Sequence, residues 1–152
     1  MQQPIVISGA GILGCYISCA LSLQGIDSIV LEKKDDEVED SVRTITLNPF
    51  SKNLLDKIGI ENDYSMINKM EVKDFDGTGK IVFKSSEIGM DHLAYVSDFA
   101  TLLMAIRKKA SDKILYKEEI ININNKGDLN EVTLSSGKVI ETNLIISSDG
   151  KN

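Results

Sequence analysis

Three glycines and one acid have the residue types and the spacing for binding a dinucleotide. Gly9, Gly11 and Gly14 form a G-x-G-x-x-G pattern, and Glu32 follows the last of them by 18 residues. In such a pattern the first glycine permits a tight turn, the second lets the backbone approach a pyrophosphate, and the third lets a helix pack closely on a strand. A carboxylate at Glu32 could accept hydrogen bonds from both hydroxyls of an adenosine ribose. The pattern predicts a site for FAD or NAD and does not distinguish between them.

A βαβ unit is needed to position these four residues, and the surrounding sequence predicts one. Residues 4–8 are an apolar, β-branched run, typical of a parallel strand buried on both faces. Residues 12–23 predict a helix that Gly25 ends, and residues 28–31 predict a second strand that ends on Glu32. The N-terminus of the helix would present free N–H groups and a positive dipole end to the phosphates. A glutamate at the end of the second strand, instead of an arginine, argues against a 2′-phosphate on the ligand.

The composition limits the other classes of function. The chain has 152 residues, of which 42% are hydrophobic, enough for one domain with a core. Its 17 basic and 23 acidic residues give a net charge of −6 without a basic cluster, so we expect no nucleic-acid partner. Residues 1–26 carry no charge, but they lack the positive start of a signal peptide and are too rich in glycine and serine for a membrane span. We therefore expect a cytoplasmic protein.

Two cysteines, Cys15 and Cys19, lie one turn apart on the predicted helix. A redox or metal-binding pair is one interpretation. We favour small apolar residues packed against the sheet, because free cysteine is among the most buried residue types and a redox pair more often has C-x-x-C spacing. With a single histidine in the chain, we expect no metal site.

Two more helices are predicted after the βαβ unit. The first starts near Pro49 and ends at Gly59. Its apolar stripe comprises Phe50, Leu54, Leu55 and Ile58. The second spans residues 99–110 and is capped by Ser97 or Asp98. The side chains that it should bury are Leu102, Leu103 and Ile106.

The remaining segments predict short strands. A hairpin surrounds residues 76–79, a buried strand covers 144–148, and Asp149 and Gly150 follow it. The other strands are expected at 93–96 and 114–116 and, as a three-stranded meander, at 119–124, 131–134 and 138–141. The order of the elements predicts an α/β fold with a parallel sheet and a β-meander crossover.

Four stretches, at 6–32, 43–59, 93–103 and 144–150, together resemble the N-terminal part of a known family. The second begins R-T-I-T-L-N-P-F-S at Arg43 and is the most specific, because generic FAD-binding chains lack it. The fourth, L-I-I-S-S-D-G, resembles a V-G-A-D-G strand, with Ser147 and Ser148 replacing Gly-Ala, so a poorer backbone approach is expected there. The family is that of the flavoprotein aromatic hydroxylases, and the resemblance is strongest to its ubiquinone-biosynthesis branch.

This resemblance implies an FAD-dependent monooxygenase with a Rossmann-like FAD/NAD(P)-binding domain and the start of a β-rich substrate domain. NAD(P)H would reduce FAD, which would activate O₂ and hydroxylate a phenolic or quinol substrate. The three glycines, Asp149 and Gly150 would hold the FAD pyrophosphate, and the last two would also approach the pyridine nucleotide. Glu32 would hold the adenosine ribose, and Arg43 would contact the flavin side. No residue is assigned a catalytic role. Association with the inner face of a membrane or with a biosynthetic complex is a further implication.

The resemblance also gives an expected domain organisation. Residues 1–152 would be an N-terminal FAD-binding portion, to which about 70–96 contribute strands of a substrate-binding sheet, while the family's later G-D motif and C-terminal half are absent. Three interpretations stay open: a segment of a flavin monooxygenase, an FAD-binding remnant without turnover, or another FAD oxidoreductase. The segment at Arg43 favours the first over the third.

Overall fold

The computed structural model describes residues 3–38 and 42–150. The chain divides into two units, the first formed by Met1–Asp40 with Leu103–Asn152 and the second by Ser41–Leu102. The charged run at 32–40 predicts a solvated loop, and its residues 39 and 40 lie outside the described part.

The described residues form three α-helices, two short 3₁₀ helices and a series of short strands. The α-helices are α1 (Ile12–Leu23), α2 (Pro49–Lys57) and α3 (Phe99–Lys109), and the 3₁₀ helices cover Ser85–Ile88 and Ser111–Lys113. The strands are β1 (Ile5–Ser8), β2 (Ser28–Glu32), β3 (Thr44–Leu47), β4 (Ser65–Ile67), β5 (Lys69–Lys73), β6 (Lys80–Lys84), β7 (Ala94–Asp98), β8 (Ile114–Tyr116), β9 (Ile120–Asn125), β10 (Asn130–Leu134), β11 (Val139–Thr142) and β12 (Ile145–Ser147).

A four-stranded parallel sheet, in the order β12-β1-β2-β8, is the centre of the first unit. Val6 and Ile7 of β1 and Val30 of β2 are fully buried, and Ile7 lies beside Val30 in the register. Between these strands runs α1, and a buried hydrogen bond of 2.8 Å joins Ser18 Oγ of α1 to Ser28 Oγ of β2. The predicted βαβ unit is therefore confirmed, including both ends of its helix.

The meander of β9, β10 and β11 is also confirmed and is antiparallel. Its inward side chains share a buried apolar cluster with the parallel sheet, comprising Val6, Leu31, Val132, Leu134 and Ile140. Alternation along β10 puts its apolar residues on the face toward the sheet, so the meander stabilises the strands on which the glycine loop depends.

The predicted final strand is present as β12, but it is less buried than predicted. In β12, Ile145 and Ile146 are only partly buried and Ser147 is exposed, and Leu144 before it is 50% exposed. The reason is position, because β12 is an edge strand of the described sheet and pairs with β1 on one side. An apolar run alone does not distinguish an edge strand from a central one.

In the second unit, β3, β7 and β4 form an antiparallel sheet, and β5 and β6 form a separate hairpin. The sequence predicts strands at 72–75 and 81–83 around this hairpin turn, but the observed loop is longer, and Phe75 lies exposed in it. Asn48 caps α2, because its Oδ1 accepts from the backbone N–H of Ser51 at 2.7 Å, and Pro49 occupies the first turn. Leu55 is buried as predicted, but Phe50 is exposed and does not belong to the core.

The third helix begins directly after Asp98. Asp98 Oδ1 accepts from both the backbone N–H and the Oγ1 of Thr101, each at 2.7 Å, so the cap is Asp98. The three apolar residues expected to face inward, Leu102, Leu103 and Ile106, are all buried.

Candidate functional site

The predicted dinucleotide-binding residues of the first unit lie at one edge of the parallel sheet. Strand β1 ends at Ser8 before the glycine loop, β2 ends at Glu32, and β12 ends just before Asp149. Because the strands are parallel, their carboxyl ends meet there, where open α/β sheets bind their ligands.

Gly9 and Gly14 are required by the protein's own geometry. Gly9 has a φ of 98°, and a Cβ added to it would lie 2.8 Å from the Cα and the N of Asp149. A Cβ on Gly14 would lie 2.0 Å from the carbonyl oxygen of Gly9. Any side chain at either position would therefore force α1 or β12 away from the loop.

Gly11 differs from its two neighbours, because neither conformation nor packing demands a glycine there. Its φ of −73° suits any residue, and an added Cβ would meet no heavy atom within 4 Å. Gly11 is the N-cap of α1, where no side chain caps the helix and no acid lies in the first turn. An uncapped helix N-terminus with open space beside it fits an anionic group such as the pyrophosphate of FAD.

The carboxylate of Glu32 lies beside this loop and is firmly held. Its Oε2 accepts from the backbone N–H of Ala10 at 3.1 Å, and its Oε1 accepts from the backbone N–H of Lys34 at 3.1 Å. Arg107 Nη2 lies 3.3 Å from the same Oε2, and only 13% of the Glu32 side chain and 11% of the Arg107 side chain are exposed. The carboxylate is thus at the strand end where the spacing predicts it.

Arg107 is a residue that the sequence analysis did not single out. Its Nε donates to the carbonyl oxygen of Ala10 at 2.9 Å, and its guanidinium carbon lies 5.6 Å from the centre of the Tyr116 ring. A signal was present in the sequence, because Arg107 follows Leu103 by four residues and so borders the buried stripe of α3.

Asp149 is held by serines from two neighbouring strands. Ser147 Oγ donates to Asp149 Oδ1 at 2.7 Å, and Ser8 Oγ donates to Oδ2 at 3.1 Å. Both hydrogen bonds lower the pKa of the Asp149 carboxyl below its ordinary value, and the one from Ser147 has the larger effect. The replacement Ser148 donates its hydroxyl to the carbonyl oxygens of Ser8 and Gly9, at 2.8 and 3.1 Å. Both serines that replace Gly-Ala therefore turn their hydroxyls toward the protein.

Gly150 and Arg43 complete the set of predicted site residues. Gly150 has a φ of 83°, in the left-handed region that favours glycine, and it turns the chain after Asp149. Arg43 belongs to the second unit, where its guanidinium carbon lies 4.4 Å from the centre of the Phe99 ring and its carbonyl oxygen accepts from the Phe99 N–H at 3.0 Å. Its contact with the flavin stays a prediction.

The two cysteines pack in the interior. Both are free thiols and both are buried, as the preferred interpretation expected. Burial raises the pKa of Cys15 to about 12, so this thiol is not a nucleophilic thiolate near neutral pH. Within residues 3–38 and 42–150, no cluster of three or more His, Cys, Asp or Glu side chains could hold a metal ion. In that same part of the chain, none of the helices is both long and apolar enough to span a membrane.

Known proteins with similar sequences include two enzymes named as mitochondrial ubiquinone biosynthesis monooxygenase COQ6. That of Danio rerio is 27% identical over 97% of this chain, and that of Homo sapiens is 25% identical over 97%. The chain spans 36% and 37%, respectively, of the length of these two relatives.

Solved structures show the same fold at lower identity. The p-nitrophenol 4-monooxygenase PnpA of Pseudomonas putida matches with a TM-score of 0.79 and 16% identity, over 98% of this chain and 41% of its own. HpxO of Klebsiella pneumoniae, in complex with FAD and uric acid, matches with a TM-score of 0.75 and 21% identity, over 97% of this chain and 39% of its own. A sequence model of the FAD binding domain matches residues 2–152, and the chain therefore belongs to that FAD-binding family.

Proposed function

We propose that this chain is the FAD-binding portion of an NAD(P)H-dependent monooxygenase that hydroxylates an aromatic ring in ubiquinone biosynthesis. The observation that carries the proposal is the site at Gly11, where an uncapped helix N-terminus faces open space beside the carboxylate of Glu32. The similarity to two ubiquinone biosynthesis monooxygenases supports the choice of reaction.

Different residues of the first unit would bind different parts of the adenosine half of FAD. The N–H groups at the start of α1 would bind the pyrophosphate, and Glu32 would accept from the ribose. Asp149 would stay ionised at neutral pH, because hydrogen bonds lower its pKa. An ionised carboxylate repels phosphate oxygens, so Asp149 would accept from a hydroxyl or a water while the Gly150 backbone approaches the pyrophosphate.

Bound FAD supplies the redox chemistry between NAD(P)H and O₂, and the protein supplies binding, orientation and exclusion of water. Arg43 would contribute a permanent positive charge on the flavin side. Strands within about 70–96 would contribute to a substrate-binding sheet, and the β5–β6 hairpin in the second unit supports this assignment. The substrate would be a phenol or quinol, with association at the inner face of a membrane or in a biosynthetic complex.

Titration calorimetry of the purified protein with FAD tests the proposal, with NADP as the comparison ligand. We expect binding of FAD and little or no binding of NADP, because Glu32 at the end of β2 would repel a ribose phosphate. Preferential binding of NADP would contradict the assignment. If FAD binds but the complete enzyme oxidises NAD(P)H without hydroxylating a phenol or quinol, the FAD site stands and the proposed reaction is wrong.

A further inference from the structure

Three groups at the glycine loop form a closed ring of hydrogen bonds. The N–H of Ala10 donates to Glu32 Oε2 at 3.1 Å, while its carbonyl oxygen accepts from Arg107 Nε at 2.9 Å. Arg107 Nη2 then donates to the same Glu32 Oε2 at 3.3 Å. The ring links the loop after β1, the end of β2 and the last turn of α3, so each member fixes the orientation of the other two.

The surroundings of this ring restrict its motion further. The side chains of Glu32 and Arg107 are largely buried, and the guanidinium carbon lies 5.6 Å from the centre of the Tyr116 ring. Tyr116 is the register partner of Glu32 on the adjacent strand β8. A buried ion pair contributes little net stability, because both charges lose hydration, so orientation is the effect that this geometry favours. The planar guanidinium, bonded at two nitrogens, is suited to that task.

The hydrogen bonds leave a definite part of the Glu32 carboxylate free. An ionised carboxylate has about four acceptor positions. Oε2 accepts from Ala10 and Arg107, and Oε1 accepts from the N–H of Lys34. One position on Oε1 remains for a ligand, whereas the sequence pattern suggested that Glu32 could accept from both ribose hydroxyls.

We propose that Arg107 is a positioning residue that commits one oxygen of Glu32 to the protein, so that the other accepts a single ribose hydroxyl of the bound dinucleotide. The inference rests on the proposed ribose contact of Glu32 and adds to it the residue that orients the carboxylate and the number of hydroxyls that it receives.

Calorimetric titration of the purified protein with ADP and with its monodeoxy and dideoxy ribose analogues tests this. We expect the unmodified protein to bind ADP about tenfold more tightly than dideoxy-ADP, the effect of one hydrogen bond to a charged group. One monodeoxy analogue should lose this whole preference and the other should keep it. In Arg107→Gln the preference should fall to about twofold, since a misoriented carboxylate no longer meets the hydroxyl. Lys108→Gln, which removes the same charge from an exposed position in the same helical turn, should keep it.

The ratio of the two affinities separates positioning from a general structural role. If Arg107→Gln weakens ADP and dideoxy-ADP equally, Arg107 only supports the fold and the inference is overturned. An additive loss from both monodeoxy analogues overturns the single-hydroxyl assignment. If the unmodified protein binds ADP and dideoxy-ADP equally tightly, Glu32 does not contact the ribose, and both that contact and the inference are overturned. FAD binding is tested separately by the titration with FAD. If Arg107→Gln does not fold, the same titrations are made with Arg107→Lys. Its ammonium group lacks the two nitrogens with which the guanidinium bonds both Ala10 and Glu32.

Discussion

At the scale of single residues, two glycines three positions apart are glycines for different physical reasons. Position 14 cannot carry a side chain, because a Cβ there would lie 2.0 Å from the carbonyl oxygen of Gly9. Gly11 has open space, so its lack of a side chain benefits only a group that comes from outside the protein. Alanine at Gly14 should therefore mainly lower the stability of the fold, whereas alanine at Gly11 should mainly weaken ligand binding.

We expect Gly11→Ala to fold with a loss of about 1 kcal/mol, the usual cost of alanine at an N-cap, and to bind FAD at least about tenfold more weakly. Gly14→Ala should lose roughly 3 kcal/mol of unfolding free energy, because a backbone clash must be relieved. Urea denaturation and calorimetry measure the two effects. Ser22→Ala, at the exposed opposite end of α1, serves as the control. A Gly11→Ala protein with unchanged FAD affinity would remove the pyrophosphate from this loop.

Glu32→Ala should weaken ADP binding by about tenfold or more, since a hydrogen bond to a charged group is lost. Glu37→Ala removes the same charge from an exposed position of the following loop and should change the affinity little. Calorimetry with ADP compares the two variants. Equal losses would mean that the end of β2 does not contact the ribose.

At the scale of elements, the N-terminal cap of α3 should make the stability of the fold depend on pH. Hydrogen bonds from the backbone N–H and the hydroxyl of Thr101 lower the pKa of Asp98, the cap of α3, below its ordinary value. A lowered pKa in the folded state means that the ionised cap stabilises the fold above the ordinary pKa of about 3.9. This stabilisation is lost as the pH falls through the lower pKa of the folded state.

Asp98→Asn should therefore have a lower melting temperature than the unmodified protein at pH 7, and the difference should vanish in acid, when Asp98 is protonated. Melting curves between about pH 7 and pH 2 measure this. Asp91→Asn, in an exposed loop, is the matched control and should show no such convergence. A difference that stays constant with pH would mean that the charge on Asp98 does not stabilise α3.

The elements also show how far sequence reasoning reaches. The βαβ unit was predictable because its signals are local: an apolar run, three glycines, a helix and a second run that ends on Glu32. The exposure of Phe50 and of Leu144 was not, because it depends on which neighbours the other elements supply. Arg107 was missed for the same reason, since its partners Ala10 and Glu32 lie far away in sequence.

At the scale of the whole molecule, residues 1–152 include the residues of the first unit that we propose bind adenosine, and they span 36% of the length of one curated relative. Enclosing a flavin ring and excluding water from it requires further protein surface. We expect residues 1–152 alone to give slow NAD(P)H oxidation that releases H₂O₂ and no coupled hydroxylation of a phenol. Mass spectrometry of products formed under ¹⁸O₂ decides this. Labelled hydroxylated phenol from these residues alone would contradict the expectation.

The parallel pairing of β1 with β12 has a consequence during protein synthesis. Val6 is the register partner of Ile145, so the first strand leaves the ribosome roughly 140 residues before its neighbour. At roughly 5–20 residues per second, that delay is on the order of 10 s. Throughout it the glycine loop lacks the Asp149 backbone that closes against Gly9. During this interval we expect the edge of β1 that pairs with β12 to be unpaired, and the glycine loop to pack against Asp149 only after β12 has emerged.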